Sequence, residues 1–257
     1  MIDALSQRLL ARSGALLVAF ESRLDRILSY WLFVALMACS ARVAAAPAGI
    51  EHTGAPSFIA YILLVIAPVG STLLALRWFD SAGQQARPST RVRSVGRWRT
   101  LPCEEARAHP LYGASGIMVS LLIGMLLNVP LRAAEFLAAM PPIPRAAPEW
   151  ASILQTAMTV DVVLFTSLYP IAFVAALKRS SVFPQLLVAI WTLDIVMQLG
   201  IAKAVSGSTH LPPAVADALQ ALLMGNVKKV LISVCLWLPY LLLSTRVNVT
   251  YRQRIPV

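Results

Sequence analysis

Apolar residues in this chain gather in long uninterrupted blocks instead of alternating with polar ones. A helix crossing about 30 Å of hydrocarbon needs about 20 mostly apolar residues. Six stretches approach or meet that length: residues 27–46, 58–76, 115–131, 155–177, 182–202, and a sixth whose apolar core is 230–243. At 1.5 Å per residue that last core is too short to span alone. Its helix is therefore expected to start near Leu222, with Lys228 and Lys229 inside its outer end. Ahead of the first block, residues 1–26 place Ile2, Leu5, Leu9, Leu16, Leu17, Phe20 and Leu24 at helical spacing, interrupted by Asp3, Arg8, Arg12 and Arg23. Such a basic amphipathic helix suits a membrane surface, or packs its apolar face on the bundle. The predicted class is all-α: a polytopic membrane helix bundle of six transmembrane helices with a short N-terminal interfacial helix.

Composition agrees with this reading. Of 257 residues, 58% are hydrophobic and 13% charged, with a mean hydropathy of +0.71. A soluble domain carries about twice that charged fraction. The net charge of +10 would also fit a nucleic-acid or anionic-lipid partner, so its placement matters. Sixteen of the 22 Lys and Arg residues fall in the first, third, fifth and seventh non-membrane segments, and six fall on the other side. Positive loops stay in the cytoplasm, so both termini are expected inside, in a bacterial inner membrane with the periplasm beyond. Val43-Ala44-Ala45-Ala46 resembles a signal-peptide cleavage site. The region before it is too long for a signal peptide, and the first block is read as a retained span.

The chain divides near His109-Pro110. Residues 1–26 form the amphipathic segment, 27–110 two spans with a long basic loop, and 111–257 four spans with short connections. No internal repeat is visible. The segment "WLPYLLLSTRVNVTYRQR" carries Pro239-Tyr240, Ser244-Thr245-Arg246-Val247, Thr250 and Tyr251. It resembles the ending of the domain-of-unknown-function 2569 family of bacterial inner-membrane proteins. "LYGASGIMVSLLIGMLLNVPLRA" is similar to that family's Gly-rich opening span, and "KRSSVFPQLLVAIWTLD" to the Phe-Pro start of its next-to-last helix. The resemblance covers roughly residues 111–257. It implies a four-helix inner-membrane fold of unassigned activity and supplies no catalytic residues.

Three groups of residues stand out as candidates for chemistry. In the third block, Gly116, Ser120 and Gly124 recur every four residues, followed by Asn128 and Arg132. Residues at i, i+4 share a helix face, and small ones let another backbone approach. This row is read as a helix-packing face with a polar tip, or else as a ligand groove. In the fourth and fifth blocks, Asp161 and Asp194 lie at similar depth. A carboxylate in hydrocarbon needs a partner or water. Arg132, Lys228 and Lys229 are candidate counter-ions, and Gln198, four residues after Asp194, is a candidate donor. The cluster either fixes helix register or lines a hydrated cavity. In the basic loop, Arg91, Arg93, Arg97, Trp98 and Arg99 could meet anionic lipid or a protein partner. One Trp is a thin platform for stacking nucleic-acid bases, so no nucleic-acid partner is expected.

Pro68 and Pro170 are expected to bend their helices, whereas Pro184 falls in a first turn. Three cysteines and three histidines are scattered without metal-ligand spacing. No phosphate-binding loop, dinucleotide fingerprint or hydrolase motif occurs. The expected function is a non-enzymatic binding or scaffolding subunit of a membrane complex, with lipids and other membrane proteins as partners and no cofactor or metal. The alternative is a small permease or ion-coupled carrier that uses Asp161 and Asp194.

Overall fold

The structure is a computed structural model, and it describes residues 13–46, 53–82, 97–145, 147–206 and 211–257. Six of its helices are long and apolar enough to cross a membrane, as the hydropathy blocks predict. In chain order the helices are α1 (Ser13–Ser22), α2 (Leu24–Ala44), α3 (Ala55–Ala82), α4 (Cys103–Ala108), α5 (Met118–Ala139), α6 (Glu149–Leu177), α7 (Phe183–Ser206), α8 (Pro213–Leu243) and α9 (Thr245–Arg252). The spans are α2, α3 and α5 to α8. The first half of the proposed amphipathic segment, residues 1–12, lies outside the described residues. Its second half is α1, whose Leu17 and Phe20 pack against the core.

The helices overrun the apolar blocks. A block ends where residues become polar, but an α-helix ends where backbone geometry or a cap stops it. The largest difference is in α8, which starts at Pro213 and not near Leu222. Pro in the first turn is pre-set for a helix, and Ala214, Ala216, Ala218 and Ala221 favour the helical backbone. Lys228 and Lys229 thus sit near the middle of α8, not at its outer end. α5 starts later than the apolar block, at Met118, because Gly113 and Gly116 adopt φ of 112° and 75°, which a helix cannot use. It then runs through Pro130 to Ala139.

α6 is the central helix. In its span 67% of residues are buried, against 11% for α2 and 17% for α8, so α6 forms the axis and the other two lie at the rim. α3, α5 and α7 surround α6, with α2 packed outside α3 and α8 outside α7. Phe165, Ala172, Phe173, Val174, Ala175 and Ala176 of α6 are fully or almost fully buried. Trp31 Nε1 of α2 donates to the Val65 carbonyl of α3 at 3.1 Å. Tyr61 Oη of α3 donates to the Met140 carbonyl at 3.3 Å. Such hydrogen bonds join helices where the surrounding hydrocarbon gives little drive to associate. Thr72 and Ser71 hydroxyls donate to the Pro68 carbonyl at 2.6 and 3.0 Å, giving that carbonyl acceptor contacts beside the proline.

One end of the bundle is closed by the C-terminal segment. Strand β1 (Trp98–Thr100) pairs antiparallel with β2 (Arg254–Pro256), with Trp98 opposite Pro256 and Thr100 opposite Arg254. Arg97, Trp98 and Arg99, read from the sequence as a lipid or partner contact, lie on this strand and its approach, with Arg97 and Arg99 exposed. Their backbone extends an edge of the chain's own C-terminus, and Trp98 lies under the Arg254 guanidinium at 5.4 Å. Leu101 N–H to the Gln253 carbonyl and Val257 N–H to the Arg97 carbonyl lengthen the pairing at 2.8 and 3.1 Å. Arg91 and Arg93 lie outside the described residues.

Asn248 is the hub of this end. Its Nδ2 donates to the carbonyls of Leu242 and Ser244 at 3.0 and 2.9 Å, and its Oδ1 accepts from Arg252 and Arg254. Thr250 Oγ1 accepts from the Gly113 amide at 3.0 Å, and Tyr251 Oη donates to the Ala176 carbonyl at 3.0 Å. Arg246 Nη1 donates to Ser115 Oγ at 2.7 Å. The polar residues of the terminal segment thereby tie α9 to the ends of α5, α6 and α8.

Asn248→Leu strands the Leu242 carbonyl and removes the acceptor shared by two arginines. It is expected to lower stability by about 2–4 kcal/mol, whereas exposed Thr100→Ala should change it by less than about 0.5 kcal/mol. Thermal melts of the two variants in one detergent check this, and equal shifts would contradict the assignment of Asn248 as a hub.

Candidate functional site

The two membrane-embedded acids arrive at one level from opposite chain directions. Asp161 lies twelve residues after the start of α6, and Asp194 twelve residues before the end of α7. At 1.5 Å per residue each is roughly 18 Å from that end of its helix. Both are buried. Arg132 enters between them from α5. Its Nη1 donates to Asp161 Oδ2 at 3.0 Å and its Nη2 to Asp194 Oδ2. Its Nε donates to Asn128 Oδ1, one turn back on the same helix, at 3.2 Å. The guanidinium carbon lies 4.4 Å from the Phe165 ring centre. Asn128 therefore aims the arginine, Phe165 covers its face, and the two carboxylates occupy its open edges. This geometry suits a planar guanidinium and not an ammonium.

The other carboxylate oxygens are occupied too. Gln198 Nε2 donates to Asp161 Oδ1 at 2.9 Å and to Asp194 Oδ1 at 3.2 Å. Gln198 Oε1 accepts from Asn226 Nδ2 of α8 at 3.3 Å. Lys229 reaches Asn226 Oδ1 at 3.5 Å and forms an ion pair with Glu135 of α5. All four helices from α5 to α8 thus contribute to one network. Each carboxylate oxygen accepts a hydrogen bond, as ionised carboxylates do. One guanidinium then faces two carboxylates, while Lys229 and Glu135 neutralise each other nearer the surface.

Beside the network is a cavity of about 30 Å³, lined by Asn128, Arg132, Tyr169, Asn226, Lys229 and Ser233 among others. That is room for about a single water, and the lining supplies the polar partners that a buried water requires.

The sequence reading joins Asp161, Asp194, Gln198, Arg132 and Asn128, and the structure brings these five together. Lys229 does not serve the aspartates directly, because Glu135 holds its ammonium and Asn226 stands between. Lys228 is exposed on the adjoining face of α8. Asn226 and Glu135 escaped the sequence reading, although each had a signal. Asn226 precedes Lys229 by three positions and Glu135 follows Arg132 by three, spacings that share a helix face.

The structure divides the small-residue row between a loop and a helix. Gly116 precedes α5, and its amide donates to Ser13 Oγ at 2.9 Å. Ser120 and Gly124 face outward, and a Cβ at Gly124 would meet nothing within 4 Å. The interior is filled by the opposite face, Met118, Leu121, Leu122, Met125 and Val129, because an axial helix surrounded by neighbours leaves space for large side chains. Among the described residues no group of three or more His, Cys, Asp or Glu side chains could hold a metal ion.

Arg132→Met should be among the most damaging single changes in the bundle. It leaves two buried carboxylates without a counter-ion, a loss of about 3–5 kcal/mol. Adding Asp161→Asn and Asp194→Asn to the same chain should restore most of the melting temperature. If the triple variant melts no higher than Arg132→Met alone, the ionic account is wrong.

No family model matches the chain, and no curated protein or solved structure is similar to it.

Proposed function

We propose that this chain is a non-enzymatic subunit of the bacterial inner membrane that binds other membrane proteins through the outward face of α5. Both termini are in the cytoplasm, and the end bearing α9 and the two-stranded sheet is the cytoplasmic end. The observation that carries the reading is the position of Ser120 and Gly124, which leave a shallow strip on the bundle surface instead of within it. Small residues on an exposed helix face allow a second helix to approach closely in lipid, where packing drives association. Further support comes from the rim helices α2 and α8, which bury few of their residues within the chain. The sixteen cations assigned to the inner side support the orientation. The likeness of residues 111–257 to the domain-of-unknown-function 2569 family supports membership of that group, whose activity is unassigned.

Gly124→Leu tests the reading, because a Cβ at this exposed position meets nothing within 4 Å. The variant should melt with the native protein yet lose stoichiometric partners on purification in mild detergent. A variant that keeps the same partners in the same ratio would end this reading.

A second reading, a small ion-coupled carrier, is favoured by one specific feature. The Arg132 site gathers two carboxylates around one cation next to a water-sized cavity. Intramembrane acids commonly mark ion or proton pathways. In proteoliposomes, Asp194→Asn should abolish proton or cation flux while the melt persists. Flux unchanged by the substitution would remove the carrier reading.

A further inference from the structure

We propose that Arg252 and Arg254, gathered on the side-chain oxygen of Asn248, bind the phosphate group of an anionic molecule at the C-terminal end of the bundle. Asn248 is fully buried. Its amide nitrogen is committed to the carbonyls of Leu242 and Ser244, so its oxygen is held toward the two arginines. That oxygen accepts from Arg252 Nη1 at 3.0 Å and from Arg254 Nε at 2.9 Å, which brings the two donor nitrogens within about 6 Å of each other. Trp98 supports the Arg254 guanidinium from one side. The Leu241 carbonyl, in the last turn of α8, receives Arg252 Nη1 at 3.2 Å.

This arrangement positions two cations without neutralising them. A neutral amide oxygen has no net charge to offset, and the ion pairs among the described residues include neither arginine. Residues 83–96, the part of the basic loop next to β1, contain Arg87, Arg91 and Arg93 but no Asp or Glu. Strand β1 and its approach add Arg97 and Arg99. Burial and the neighbouring Arg254 charge push the Arg252 guanidinium down to about 10, and burial also lowers Arg254; guanidinium groups nonetheless stay protonated in proteins.

Among the described residues, Arg252 uses only Nη1 and Arg254 only Nε in hydrogen bonds. The remaining N–H groups are open to the oxygens of one anion. A tetrahedral phosphate matches forked guanidinium donors better than a halide does, because each fork can hold two oxygens. The contact with Leu241 fixes the pair at the end of a spanning helix, the level of phospholipid headgroups. A phosphodiester headgroup and a soluble phosphate share the chemistry that would be recognised here.

The test uses the full chain in a neutral detergent. Retained lipid is measured by native mass spectrometry after addition of phosphatidylglycerol or phosphatidylcholine, and thermal shifts are measured with sodium phosphate against sodium chloride at equal ionic strength. Arg254→Gln should weaken retention of the anionic ligand about tenfold, the scale of one lost charge-assisted contact. Arg254→Lys should fall between the two. Selective retention of phosphatidylglycerol assigns the site to a headgroup, and a shift with phosphate that exceeds the lipid effect assigns it to a soluble phosphate. Should Arg254→Gln fail to fold, Arg252→Lys provides the same comparison while keeping a donor near Leu241. The proposal is overturned if native protein prefers neither phosphate source over its control, or if folded variants bind as tightly as the native chain.

Discussion

In hydrocarbon an ion cannot leave its counter-ion behind, and that constraint fixes how α5, α6 and α7 face one another. Arg132 holds Asp161 with one nitrogen and Asp194 with another, so the three helices can neither rotate nor slide independently without separating charges in a medium of low dielectric. Gln198 ties the same two acids together from the far side and passes the constraint to α8 through Asn226. The apolar core supplies most of the contact area, but apolar surfaces in lipid are permissive about register. The charged cluster is not, and it selects one alignment among many that would bury similar surface.

The two ends of the bundle solve different problems. Around Arg132 the polar groups are few, with one guanidinium between two carboxylates and the Lys229–Glu135 pair beside them. At the other end the chain leaves α8, turns through Ser244 and folds back as α9, so that Asn248, Thr250 and Tyr251 satisfy backbone groups on three other segments. Helix ends normally leave carbonyls without partners. Here side chains from the last short helix supply them, and the arginines that complete the arrangement are left with charge to spare.

Much of this could be read from the sequence, and what could not has physical reasons. Long apolar blocks reveal spans because the solvent there is uniform. Lone acids inside them reveal a polar cluster because hydrocarbon makes an unpartnered charge costly, which is why Arg132, Asp161, Asp194, Gln198 and Asn128 were found together. Helix ends were misjudged because hydropathy reports where lipid stops, whereas Pro213 and the glycines at 113 and 116 decide where the helix does. Periodicity shows that Ser120 and Gly124 share a face but not which way it points. The sheet was invisible because β1 and β2 are three residues each and far apart in the chain.

That distance has a consequence for how the protein is made. β1 leaves the ribosome some 150 residues before β2. At roughly 5–20 residues per second, its edge waits on the order of ten seconds for a partner. During that interval β1 has no strand to pair with. Closure of this end therefore waits until β2 has been made.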